Sequence, residues 1–304
     1  MSFVATHPIR SLNTSPVQAG AIAGLAAAMI WGGYLSLSRA GVSAGLDGYD
    51  VAFLRYVVAG PLMLLAWMVF NPRGRPNMRL GQALAVAALL GPPFVFLSVG
   101  GYAYAPLAHG AVILPATLTL GGFLLTRIFL RQKLTKGQAT GAIAIVLGLV
   151  FIAGPSAFQS GVGALRGDAM FVLAGLLWAG FSVLQQRWKL NAIDVTTVVS
   201  LAGLVTVVPV YLWLRGVDAF ADLSGPMLSA QIIIQGVLSG VVAMIAFAKA
   251  VLYLGAARAA TFPALVPGFA LLIGVPLTME IPGPLQVVGI VIVGLGLVSA
   301  INKT

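Results

Sequence analysis

Apolar runs about twenty residues long recur ten times along this chain, near 18–39, 50–70, 80–104, 109–127, 136–154, 168–187, 195–214, 228–251, 257–279 and 283–301. A bilayer core about 30 Å thick needs about 20 apolar residues per helix, and backbone facing lipid must satisfy its own hydrogen bonds. Each run therefore reads as a membrane-spanning α-helix. Composition agrees, since 60% of the 304 residues are hydrophobic and only 8% are charged, against roughly 25% charged in soluble domains. The net charge of +10 sits in short clusters between the runs, which fits topology signals facing anionic lipid and not nucleic acid. The chain has no cysteine, so disulfides, thiolate zinc sites and cysteine nucleophiles are excluded. Residues 1–17, MSFVATHPIRSLNTSPV, lack the apolar core of a cleaved signal, so the first span is expected to direct insertion.

Basic residues orient the chain. With the N-terminus inside, twelve of them fall on the cytoplasmic side (Arg10, Arg73, Arg75, Arg79, Arg127, Arg131, Lys133, Lys136, Arg187, Lys189, Arg258 and Lys303) and four outside (Arg39, Arg55, Arg166 and Arg215). By the positive-inside rule both termini are cytoplasmic.

The second half of the chain repeats the first. At an offset of 148 residues, PLAHGAVILPATLTLGG from Pro106 falls on LGAARAATFPALVPGFA from Leu254, so that Pro115 meets Pro263. In the same register Gln138 meets Gln286, and LGLV at 147–150 meets LGLV at 295–298. At an offset of 147, WGGY (Trp31 to Tyr34) falls on WAGF (Trp178 to Phe181). Five spans is an odd number, so two such copies insert with opposite orientation. The substrate site of an inverted-repeat transporter lies between the copies near the midplane. The expected fold is an all-α integral membrane bundle of ten helices, arranged as two inverted five-helix repeats around a central cavity. Its parts are a cytoplasmic segment 1–17, a first repeat 18–154, an outer linker 155–167, a second repeat 168–301 and a cytoplasmic tail 302–304.

These features resemble the drug/metabolite transporter superfamily, and GQATGAIAIVLGLVFI and LQVVGIVIVGLGLVSA resemble the close of its EamA-type repeat. The resemblance implies a ten-helix secondary transporter of the bacterial inner membrane, exporting amino acids, aromatic ones included, with helices 1, 3, 4, 6, 8 and 9 around the cavity. Family repeats often carry a glutamate just after helices 4 and 9. Glu280 stands there, but its counterpart is Gln132.

Candidate contacts follow from helical spacing. Trp31, Tyr34 and Ser38 share one face of helix 1, and Trp31 lies too deep for an interfacial tryptophan. Trp178 and Ser182 repeat the design in helix 6, followed by Gln185 and Gln186, which either cap the bundle or face its interior. In helix 3, beyond Pro92 and Pro93, Phe94, Ser98 and Tyr102 form a stripe that either packs or walls the cavity. Pro115, Pro263 and Pro267 remove helical hydrogen bonds and are read as hinges whose freed carbonyls face a polar substrate. Phe262 is assigned to the substrate's apolar part and Lys249 to its carboxylate. Arg39, Arg55, Arg127 and Arg258, near helix ends, read as snorkelling to the interface. His109 reads as a solvated loop histidine at the outer start of helix 4. Helices 5 and 10, rich in glycine and poor in polar residues, read as scaffolding.

No Asp or Glu lies mid-span, so efflux of cationic drugs lacks its usual counter-charge. No pair or triad suits hydrolysis, no His/Asp/Glu cluster suits a metal, and no phosphate-binding GxxxxGKS loop is present. The expected protein is not an enzyme and has no cofactor or metal. Its partners are a small-molecule substrate and the lipid bilayer, without nucleic acid, and it is expected to function as a monomer. A membrane-embedded enzyme and a receptor or scaffold are the alternatives from other classes.

Overall fold

The computed structural model describes residues 15–70, 78–105, 107–155, 164–278 and 283–301. Glu280, the tail 302–304 and most of the linker 155–167 lie outside the described residues, as do Arg10, Arg73, Arg75 and the side chain of Arg39. Among the described residues, ten helical spans are long and apolar enough to cross a membrane: α1 Pro16–Ser38, α2 Gly48–Val69, α3 Leu80–Ala103, α4 His109–Phe129, α5 Lys136–Ala153, α6 Ala164–Trp188, α7 Ala192–Arg215, α8 Gly225–Leu254, α9 Ala256–Gly274 and α10 Pro284–Ile301. The sixth span begins at Ala164 rather than 168, and the eighth runs from Gly225 to Leu254 rather than 228 to 251.

The helices pack as the duplication requires. Under the exchange of α1 with α6, α2 with α7, α3 with α8, α4 with α9 and α5 with α10, every large interface maps onto another or onto itself. Thus α1 packs on α8 and α9, while α6 packs on α3 and α4; α2 meets α7, and α5 meets α10. Each half therefore clasps the other.

Close backbone approach explains Gly141 and Gly148 of α5 and Gly289 and Gly296 of α10. A Cβ on Gly141 would stand 2.5 Å from the Gly296 carbonyl oxygen, and one on Gly148 would stand 2.8 Å from that of Gly289. Small residues of this kind let helices associate in lipid, where no hydrophobic force drives them together.

Departures from a regular helix fall in symmetry-related spans. In α3, Gly91 leaves the helical region (φ −86°, ψ −138°) and Pro92 restarts the helix; a Cβ there would stand 2.4 Å from the Ala87 carbonyl oxygen. Its counterpart α8 runs as a π-helix over Ile232–Val242, where each N–H reaches five residues back. In α9, a short helix Ala256–Ala259 and a 3₁₀ turn Phe262–Leu265 precede the helix Val266–Thr278. Yet α4 continues through Pro115 from Leu107 to Phe129. The matched prolines thus have different outcomes. The position equivalent to Pro267 is Thr119, whose hydroxyl donates to the Pro115 carbonyl at 2.9 Å and to the Ala260 carbonyl at 3.0 Å. One copy carries two helix breakers, and the other carries one breaker with a side-chain donor. A third matched pair, Pro61 in α2 and Pro209 in α7, also stands 148 residues apart inside continuous helices.

One end of the bundle is fastened by charge. Asp47 and Asp50 cap α2 reciprocally: the Asp47 N–H donates to Asp50 Oδ2 at 2.6 Å, and the Tyr49 and Asp50 N–H groups donate to Asp47 Oδ1. Arg215 at the end of α7 donates to Asp47, and the Tyr211 hydroxyl donates to Asp50. At the same end His109 is buried against Asp168, its Nδ1 2.7 Å from Oδ1. This corrects the expectation of a solvated histidine, because α6 starts early enough to bring Asp168 beside the first turn of α4.

Two outcomes follow. Gly141→Val should lower the melting temperature in detergent by overpacking worth about 1–3 kcal/mol, while Gly294→Ala, whose Cβ would meet open space, should not lower it. For Asp47, burial opposes ionisation but the N–H groups of Asp50 and Tyr49 and the Arg215 guanidinium outweigh it, holding the carboxyl below its usual range. A depressed folded value means that its contribution is present above about pH 4, the unfolded value, and is lost as pH falls through the folded one. Melting temperature should therefore fall on acidification below about pH 4, and Asp47→Asn should lower it at neutral pH and flatten that acid limb.

Candidate substrate cavity

Between the two halves lies a cavity of about 200 Å³. Eight spans line it: α1 with Trp31, Tyr34 and Leu35; α2 with Ala52, Arg55 and Tyr56; α3 with Leu90, Phe94, Val95, Ser98, Val99 and Tyr102; α4 with Gly110, Ala111, Leu114 and Pro115; α6 with Trp178; α7 with Val199; α8 with Met244; and α9 with Pro263, Val266 and Pro267. Helices α2 and α7 thus join the six expected walls, while α5 and α10 contribute nothing to the lining. The interrupted spans α3, α8 and α9 border this space together with α4, so the prolines at 115, 263 and 267 all line it.

Its floor is aromatic. The rings of Trp31 and Trp178 stand edge to face at 5.1 Å and 84°, and Phe94 meets Trp178 at 5.5 Å and 75°. Phe247 of α8, fully buried, packs on both tryptophans from below, at 5.7 Å and 5.3 Å. Edge-to-face pairs contribute about 0.5–1.5 kcal/mol each beyond their area, which holds the indoles in place. The matched Trp31 and Trp178 thus meet here, each from near the middle of its span. The Trp178 indole N–H is buried and has no acceptor among the described residues. Tyr102, at the far end of the cavity, keeps 40% of its surface exposed.

Nine of the expected contact and hinge residues line the cavity: Trp31, Tyr34, Phe94, Ser98, Tyr102, Pro115, Trp178, Pro263 and Pro267. Four do not. Ser38 sits one turn beyond Tyr34 and accepts a hydrogen bond from Gln235 Nε2 at 3.0 Å. The Ser182 hydroxyl bonds back to the Trp178 carbonyl at 3.0 Å within its own helix. Phe262 is buried where α9 crosses α1; a Cβ on Gly24 would stand 2.6 Å from its ring. Lys249 is exposed, because Phe247, Ala248, Ala250 and Val251 turn the opposite face of α8 inward. The expected carboxylate partner therefore points away from the cavity, and its stem and ammonium suit the lipid boundary.

The glutamines of α6 are fasteners. Gln185 Nε2 donates to the Ala248 carbonyl at 2.9 Å, and Gln186 Oε1 accepts from the Ala256 N–H at 2.8 Å. A second polar seam escaped the sequence reading. Gln231, Gln235 and Ser239 of α8 are fully buried; Gln231 Nε2 donates to the Leu37 carbonyl at 3.0 Å, and Gln235 Nε2 donates to Gln231 Oε1 at 2.8 Å. Their four-residue spacing in QIIIQGVLS was the signal that could have found them. Arg55 was also missed as a lining residue, because its place near a helix start reads as snorkelling.

The comparisons with known proteins agree with this architecture. The model of the EamA-like transporter family matches residues 18–154 and 165–301, once in each half. A curated protein of Streptantibioticus cattleyicolor, described as a probable terminal-alkyne amino-acid exporter, is 27% identical over 256 residues, covering 82% of this chain and 83% of its own. A solved crystal structure superposes with a TM-score of 0.73 at 14% identity, over 92% of this chain and 96% of the other, which is a likeness of fold alone. With a family match in both halves, and ten spans built as two such halves around one cavity, the chain belongs to the EamA-like transporter family.

Proposed function

We propose that this protein is a secondary transporter that exports amino acids, aromatic ones included, or related small metabolites across the bacterial inner membrane by alternating access. Family membership supports transport of a small molecule by a multi-pass membrane protein. The observation that carries the finer reading is the aromatic-floored cavity at the junction of the two halves. Trp31, Trp178 and Phe94 take the apolar body of the substrate, and the tyrosines and Ser98 face its polar end. The description of the curated relative as an amino-acid exporter supports the same substrate class.

Alternating access needs elements that move against a frame that does not. The glycine-seamed pair α5 and α10 is the frame, and α4 and α9, which carry Pro115, Pro263 and Pro267 beside the cavity, are the moving pair. With both termini cytoplasmic, as the basic residues favour, the Tyr102 end of the cavity faces outward. The protein works as a monomer, since each chain encloses its own cavity.

Purified protein in liposomes, loaded with unlabelled amino acid and tested for counterflow of the labelled form, tests the reading. Saturable counterflow of an aromatic or large apolar amino acid is expected. Flux of an organic cation with none of any amino acid would overturn the assignment. Trp178→Ala and Trp31→Ala should each lower flux roughly ten-fold, the effect of losing about 1.4 kcal/mol of stabilisation, without preventing membrane insertion. Trp178→Phe should retain more flux than Trp178→Ala, and wild-type flux in both alanine variants would remove the aromatic floor from the site.

A further inference from the structure

The polar side of the cavity is built from donors. Arg55, Tyr34, Tyr56, Tyr102 and Ser98 each carry an N–H or O–H, and none of the described lining residues is Asp, Glu, Asn or Gln. Of these, Arg55 alone carries a guanidinium, with five N–H donors in a planar fork. It stands in the second turn of α2, half-buried, and its stem packs where a Cβ on Gly240 would stand, at 3.3 Å. Its Nη2 donates to the Ser239 carbonyl at 3.4 Å, and among the described residues it has no other hydrogen-bond partner and no carboxylate within ion-pair distance. The acids at the start of the same helix are engaged elsewhere, Asp47 with Arg215 and Asp50 with Tyr211 and Arg215.

A guanidinium without a counter-charge inside a membrane bundle is costly unless it faces water or an anion. Here the fold holds it in that position. Gln231 and Gln235 tie the π-helical stretch of α8 to α1, so the Ser239 carbonyl is fixed where it meets one guanidinium N–H. The planar fork keeps its remaining N–H groups free, and that geometry matches a carboxylate bidentately.

We propose that Arg55 is the carboxylate receptor of the cavity, so that it takes small anionic or zwitterionic carboxylates with an apolar or aromatic body and rejects amines that lack the carboxylate. The aromatic floor holds the body, and Arg55 reads the charged end. Its part in transport rests on the reading given above, whereas its part in binding does not.

Binding is tested on the full chain in detergent at neutral pH through intrinsic tryptophan fluorescence, since Trp31 and Trp178 line the cavity. The probes are 3-phenylpropionate, L-phenylalanine and 2-phenylethylamine. The first two should saturate and compete with each other, and the amine should do neither. Arg55→Gln should weaken the two carboxylates roughly ten-fold or more, and Arg55→Lys should weaken them less. The proposal is overturned if the amine binds as tightly as 3-phenylpropionate, if no probe saturates, or if chloride displaces 3-phenylpropionate at equal concentration. It is also overturned if folded Arg55→Gln binds the carboxylates as wild type does; should that variant not fold, the wild-type probe series decides. Amino-acid flux that persists in Arg55→Gln would keep the transport reading and end this one. Carboxylate binding lost in Arg55→Gln, in a protein that moves no amino acid, would keep this one and end the amino-acid reading.

Discussion

Inside a bilayer no water replaces a lost backbone hydrogen bond, and the organisation of this protein depends on where its helices break that constraint. Each interruption costs free energy unless protein or an aqueous space satisfies the freed groups. Here the interruptions gather in α3, α8 and α9, which with the proline-bearing but continuous α4 are the symmetry-related walls of one cavity. The uninterrupted pair α5 and α10 contributes no lining residue and packs glycine to glycine at the edge of the bundle. The division into frame and walls thus follows from hydrogen bonding before any substrate is considered.

Symmetry sets the positions of these defects, and local chemistry sets their outcome. Pro115 and Pro263 are equivalent, yet α4 is continuous and α9 is interrupted, because Pro267 stands where the first copy has Thr119. The same hydroxyl reaches the Ala260 carbonyl across the interface between α4 and α9, so the intact helix helps to satisfy the broken one. The Ser36 hydroxyl makes a similar link from α1 to the Ala270 carbonyl at 2.8 Å. The two copies have thus become one continuous and one interrupted helix from one design.

The spans, the duplication and most of the cavity wall were legible in the chain, because hydropathy and helical spacing depend only on local order. Trp31, Trp178, Phe94 and Tyr102 could be read this way, since their spacing and depth single them out without knowledge of their neighbours. What could not be read depends on partners distant in sequence. Lys249 and Phe247 are two residues apart, and which of them faces inward is decided by the rotation of α8 against α1 and α6. Arg55 looks like a snorkelling residue until the π-helical stretch places the Ser239 carbonyl beside it, and His109 looks solvated until α6 supplies Asp168. The second breaker in α9, Pro267, is visible in the chain, but the continuity of α4 through Pro115 is not, because it rests on the contact of Thr119 with Ala260 of the other half.

The central claim is that the two ends of the cavity open in alternation. The absence of cysteine allows clean placement of spin-label pairs on exposed residues, with Ala103→Cys and Ser229→Cys at the Tyr102 end and Lys133→Cys and Lys189→Cys at the other. Distances within each pair, measured by pulsed electron paramagnetic resonance in lipid with and without a saturating transported amino acid, report on the two ends separately. The account predicts opposite shifts, one pair closing as the other opens. Distances that stay fixed at both ends, or that widen and narrow together, would contradict it.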